Sequence, residues 1–125
     1  MSISVVWDNS DQTILRWDFS GHWDWKAFLT AQQQTIDFMK GVSQTVHVIV
    51  DASQSPRLPA GALGYFHNFR RSETPNTGLV VLVGMNALVK AAVTMFLRIF
   101  PSDWGTVIFA RTVQEARTKL ENNGH

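Results

Sequence analysis

Val46-His47-Val48-Ile49-Val50-Asp51 and Leu79-Val80-Val81-Leu82-Val83-Gly84 are the two stretches that decide the fold. Both are short runs dense in β-branched and aliphatic residues, without the polar alternation of a strand that has one wet face. That pattern suits strands buried on both faces, as in a parallel sheet covered by helices. Ala52 to Pro59 is a Ser/Pro-rich loop, and Ala60 to about Ser72 reads as a helix with Ala62, Phe66 and Phe69 on its inner side. Gly61 and Gly64 disfavour that helix, and Thr74-Pro75-Asn76-Thr77-Gly78 breaks it. Strand, crossover and strand in this order place the two strands side by side and parallel.

Working outward toward the amino end, Ser2 to Trp7 reads as a strand with Ile3, Val5 and Trp7 on one face. Asp8-Asn9-Ser10-Asp11 is a turn, and Thr13 to Phe19 alternates Leu15, Trp17 and Phe19 with Arg16 and Asp18. The two strands form an antiparallel hairpin. Gly21-His22-Trp23-Asp24 then leads into a helix capped by Asp24 and running to about Lys40, with Gly41 as its stop. Trp25, Phe28, Leu29, Ile36 and Met39 make its buried stripe.

Toward the carboxyl end, Asn86 caps a third helix that Pro101 ends, and Thr106 to Ala110 is the last strand. Thr112-Val113-Gln114-Glu115 is a capping box, opening a helix that buries Val113, Ala116 and Leu120. The tail from Asn122 to His125 is expected to fray. The expected fold class is therefore α/β: one layered domain over residues 1–125, with a mixed five-stranded sheet (an N-terminal hairpin, then parallel strands) and about four helices.

The 125 residues suit a single domain, which at this length buries roughly two thirds of its unfolded surface. With no cysteine, disulfides, thiol catalysis and thiolate metal sites are excluded. The composition is globular, 45% apolar and 17% charged, and a formal charge of +1 gives no electrostatic case for nucleic acid. The opening residues lack a basic start and a long apolar run, so no signal peptide is read and a cytoplasmic location is expected. Ala87 to Phe100 is interrupted by Lys90, Thr94 and Arg98, so membrane insertion is not expected either.

Catalytic constellations are weak. No phosphate-binding loop exists: Gly61 and Gly64 are mis-spaced for a dinucleotide fingerprint, and Gly84 stands alone. No cofactor is expected. Asp18, His22 and Asp24 are the best local metal-ligand group, but their spacing is unspecific and Asp24 has a cap to make, so no metal is expected. Ser53 or Ser55 with His67 and Asp51 could assemble a hydrolytic triad, although no elbow exposes either hydroxyl. His47, at the start of a strand, reads as a satisfied half-buried histidine. No catalytic residue is assigned.

The aromatics point elsewhere. Trp7, Trp17, Trp23 and Trp25 cluster in the first quarter of the chain, as core packing or as the walls of a pocket or interface. The third helix is apolar around nearly its whole circumference, whereas a surface helix shows one stripe. Leu88, Ala92, Met95 and Phe96 are accordingly candidates for a ligand-binding or homodimer surface. Arg57, Arg70 and Arg71 form a local basic group beside the Ser53–Ala62 stretch, suited to an acidic or phosphorylated partner.

Three stretches and the order of elements resemble the SpoIIAA-like branch of the STAS superfamily, named for sulfate transporters and anti-sigma-factor antagonists. They are Val48-Ile49-Val50-Asp51-Ala52-Ser53 with its Pro-rich loop and helix, Leu79 to Gly84, and Val107-Ile108-Phe109 followed by the helix of Glu115, Ala116 and Leu120. The resemblance implies a domain that binds other proteins, and in some branches small ligands, without performing a reaction. In the anti-sigma antagonists a serine at the start of the helix after the third strand is phosphorylated, and its charge breaks a complex. Here that stretch reads Leu58-Pro59-Ala60-Gly61-Ala62 and carries no hydroxyl, while Ser53 and Ser55 lie earlier. The leading expectation is a non-catalytic regulatory module, dimeric, meeting a protein partner through Ser53, Ser55, Arg57, Pro59, Ala60, Gly61 and Arg70. The alternative is a carrier of a small apolar, lipid-like ligand between the sheet and the third helix.

Overall fold

The computed structural model describes residues 2–54, 74–99 and 106–123. Five strands form one mixed sheet in the spatial order β1-β2-β3-β4-β5. They are β1 (Ser2–Trp7), β2 (Ile14–Ser20), β3 (Val46–Gln54), β4 (Thr77–Val83) and β5 (Val107–Ala110). The pair β1 and β2 is antiparallel, and every later pair is parallel. Three helices are described: α1 (Trp25–Lys40), α2 (Ala87–Ile99) and α3 (Val113–Asn123). The helix expected from Ala60 to about Ser72 lies outside the described residues. Among the described residues no helix is long and apolar enough to cross a membrane.

Local chemistry explains the element ends. Asn9 folds the hairpin turn: its Oδ1 accepts the amides of Thr13 at 3.1 Å and Ile14 at 3.2 Å, doing what a backbone carbonyl would do. Asp24 caps α1 by accepting the Ala27 amide at 2.8 Å. Asn86 caps α2 through the amide of Val89, and Thr112 caps α3 through the amide of Glu115. Strand β3 is longer than the sequence pattern predicts, continuing through Ala52 to Gln54. Pairing of Gln54 with Ser20, past a register shift that gives β3 one residue more than β2, carries the ladder into the polar stretch.

Two glycines permit close strand contacts. A Cβ on Gly78 would collide with the imidazole of His47, whose Nδ1 accepts the Leu79 amide at 2.9 Å. His47 is thus satisfied and half-buried, as read from the sequence. Gly84 has φ +75°, and a Cβ there would lie 2.6 Å from the Ser53 Cβ.

The parallel register sorts side chains into rows. Leu15, Val48 and Val80 form one row and Trp17, Val50, Leu82 and Phe109 the next, all on the side covered by α1 and α2. The opposite side carries Ile49, Val81, Val83 and Ala110 beneath Ala116 and Leu120 of α3. The α1 stripe departs from its expectation. Phe28, Ala31, Thr35, Ile36 and Met39 are buried, Trp25 is half-buried, and Leu29 is largely exposed. Leu29 follows Phe28 by one residue and so turns about 100° away from the line of contact.

Candidate functional site

Residues of β2, α1, β3, β4 and α2, with Trp23 and Met85 from the loops before the two helices, line a partly open apolar pocket of about 110 Å³. Its floor is the sheet: Val48, Val50 and Ala52 of β3 beside Val80 and Leu82 of β4. Trp17, Phe19, Trp23 and Phe28 wall one side, Met39 and Thr77 another, and Met85 and Val93 come from α2 and the loop before it. Native interiors hold few voids larger than a water molecule. The four rings of the wall pack on one another both edge-on (Phe19 and Trp23, 4.9 Å apart at 74°; Trp17 and Phe28, 5.5 Å apart at 62°) and stacked (Trp17 and Phe19; Trp23 and Phe28).

The polar groups of the lining are few. Trp17 Nε1 donates to Thr35 Oγ1 at 2.8 Å, and Thr35 Oγ1 donates to the Ala31 carbonyl at 2.9 Å. Thr77 Oγ1 lies 3.9 Å from Met39 Sδ. Trp23 Nε1 is buried and donates to no acceptor among the described residues. No charged side chain is among the described lining residues. Such a space excludes ions and has little attraction for water, which needs two or more polar partners.

The residues singled out from the sequence fall in different places. Phe96 is buried in the core beside Val89 and Val93, while Leu88 and Met95 point outward, 80% and 59% exposed, and Ala92 lies between. Ile99, 62% exposed, continues the outward line. The all-round apolar character of this helix therefore resolves into an inward and an outward stripe. Ser53 Oγ donates to Asp51 Oδ1 at 2.6 Å. Ser55, Arg57, Pro59, Ala60, Gly61, His67, Arg70 and Arg71 lie outside the described residues. Asp24 serves as a cap, His22 is exposed and Asp18 is held by Arg16 at 2.9 Å. Among the described residues no three of His, Asp and Glu come together as metal ligands.

The sequence reading missed Thr35, whose helical position among apolar residues is legible but whose pairing with Trp17 is not. It also missed a charge cluster on the other side of the sheet. Arg117 of α3 grips Asp8 with two hydrogen bonds of 2.8 Å, and Arg16 joins Asp8 to Asp18. The Asp8 side chain is only 2% exposed. The Arg117 guanidinium, with Arg16 behind it, holds the Asp8 carboxyl below its ordinary value against the opposing effect of burial.

Comparison with known proteins returns no match, either to a protein-family model or to a curated protein.

Proposed function

We propose that the chain is a non-catalytic binding domain that holds a small apolar molecule, or the apolar end of a larger one, between the sheet and helices α1 and α2. One observation carries this reading: a cavity of about 110 Å³ lined almost wholly by apolar atoms. Dry apolar cavities of about 150 Å³ take up benzene. In proportion, the space of about 110 Å³ fits roughly four or five heavy atoms, and its partly open side leaves room for a slightly larger ligand. The STAS-like resemblance is in keeping with it, since some branches of that superfamily bind small ligands.

Native mass spectrometry of gently purified protein, followed by thermal melts with benzene and short-chain lipids, tests the proposal. Binding to the folded state raises Tm with ligand concentration. The expected result is a co-purifying apolar mass or a rising Tm. A clean apo mass and a flat melt across the series end this reading.

A second reading is a regulatory, partner-binding module, and the outward stripe of α2 favours it. Leu88, Met95 and Ile99 are exposed on one helix face. The partner for such a stripe is a second copy of the chain, through an isologous contact. The acceptor surface expected around Ser53, Arg57 and Arg70 belongs to the same reading, tested by loss of a defined partner after Arg57→Glu with Arg70→Glu.

A further inference from the structure

We infer that the outer edge of β1 joins a second copy of the chain as an antiparallel strand pair, extending the sheet across a twofold axis at Val5. In an antiparallel ladder, facing residues alternate between exchanging both backbone hydrogen bonds and exchanging none. The Asp8 amide donates to the Ile14 carbonyl at 2.8 Å, and Asp8 continues the register in which Val6 faces Arg16 and Ser4 faces Asp18. Ser2, Ser4 and Val6 therefore bond to β2, whereas Ile3, Val5 and Trp7 turn their N–H and C=O groups away from it. β1 is the end strand of the sheet, and no described residue takes up those outward groups.

The two ends of the sheet are treated differently. At the far end, β5 is 4 residues long, and the carbonyls of Thr106 and Ala110 accept from β4, so Phe109 points its carbonyl outward. Lys119 Nζ donates to that carbonyl at 2.8 Å, which blocks a further strand. β1 has 6 residues and neither a proline nor a charged side chain to blunt it. A second β1 is the strand that fits. Only with Val5 facing the partner's Val5, and Ile3 facing the partner's Trp7, do all three outward residues exchange both bonds. That register also continues the apolar row under α1, where Val5 is buried and Ile3 and Trp7 pack on the core. No charge in Ser2–Trp7 meets its like across the axis. On the opposite face the exposed Ser4 and Val6 stand across from each other.

Amide hydrogen exchange of the full chain, read by NMR over a roughly hundredfold range of concentration beside sedimentation equilibrium, tests the pairing. The Ser4 and Val6 amides, bonded to β2, should be protected throughout. The Ile3, Val5 and Trp7 amides should gain roughly tenfold protection as the dimer forms. Charge then tests the register. Ser4→Lys with Val6→Lys sets lysine against lysine across the axis and should weaken dimerisation roughly tenfold, whereas Ser4→Lys with Val6→Glu sets lysine against glutamate and should restore it. Met95→Lys should leave this dimer intact, which separates the edge from the outward stripe of α2. A chain that stays monomeric with those three amides unprotected overturns the inference. So does a dimer that leaves them unprotected or is lost in Met95→Lys, and so does equal dimerisation of the two charge variants. Should either charge variant fail to fold, exchange on the unaltered chain decides the matter.

Discussion

The two faces of the sheet are filled by opposite means. Under α3, branched and small side chains meet: Ile49, Val81 and Val83 against Ala116 and Leu120, all nearly inaccessible. Under α1 and α2, large rings dominate and leave about 110 Å³ open. Branched aliphatic groups interdigitate on one face, and rings packed both edge-on and stacked line the other. Charge follows the same division. The Asp8, Arg16, Asp18 and Arg117 network straps α3 to β2 and the hairpin turn, while the cavity side has no described ion in its lining. One face thus holds the fold together. On our proposal the other gives up packing to keep space for an occupant.

The sharpest way to break this contrast is to shrink the tight face. Leu120→Ala is expected to cost about 2–5 kcal/mol, because the fully covered pocket left behind has no room to collapse. Enlargement compares the faces directly. Ala116→Leu, where Ala116 is 0% exposed, should cost about 1–3 kcal/mol through overpacking. Ala52→Leu, on the cavity floor, should change stability by less than about 1 kcal/mol and abolish the benzene-induced rise in Tm. Urea unfolding of the three variants gives the comparison. Equal losses for the two alanine substitutions would show that the faces are packed alike.

The strap is next in size. Asp8→Asn removes the charge that two guanidinium groups share, at an expected cost of about 1–3 kcal/mol near neutral pH. Folding lowers the Asp8 carboxyl below its ordinary value of 3.8, chiefly through the Arg117 hydrogen bonds. Its contribution is therefore complete above the unfolded value and fades as pH falls from there through the folded one. Between about pH 5 and pH 2 the unaltered chain should lose stability more steeply than Asp8→Asn. Denaturant midpoints across that range check it, and parallel curves would mean that the network contributes nothing on folding.

Much of this architecture is legible in the chain because it depends on local rules. The runs Val46–Val50 and Leu79–Val83 signal doubly covered strands, and Asp24, Asn86 and Thr112 signal helix starts that the hydrogen bonds bear out. What depends on distant pairing is not legible. Arg117 reaches Asp8 across 109 positions of sequence, and no periodicity announces that contact. The cavity is likewise invisible, because a void is a failure of distant rings to meet; the crowding of Trp17, Phe19, Trp23 and Phe28 suggests aromatic walls but not the space between them. The polarity of β3 beyond Asp51 reads as loop, yet the ladder with β2 carries it on as strand. For α2 the composition shows apolar residues all round, and only the fold separates Phe96 from Met95.

The smallest stability effect is expected where α2 faces outward, and it bears on the second reading. Leu88, Met95 and Ile99 stand seven and four residues apart, so they share one side of the helix. Single exposed apolar residues are ordinary, but a line of three makes a continuous ridge that a twofold partner could match with its own. Met95→Lys should leave unfolding of the isolated chain within about 0.5 kcal/mol, since the side chain has few internal contacts to lose. If the ridge joins two copies, sedimentation equilibrium should show a dimer for the unaltered chain and a monomer for the variant. A concentration-independent monomer in both would leave the ridge as scattered surface residues, and the contrast between the sheet's two faces would then carry the functional argument alone.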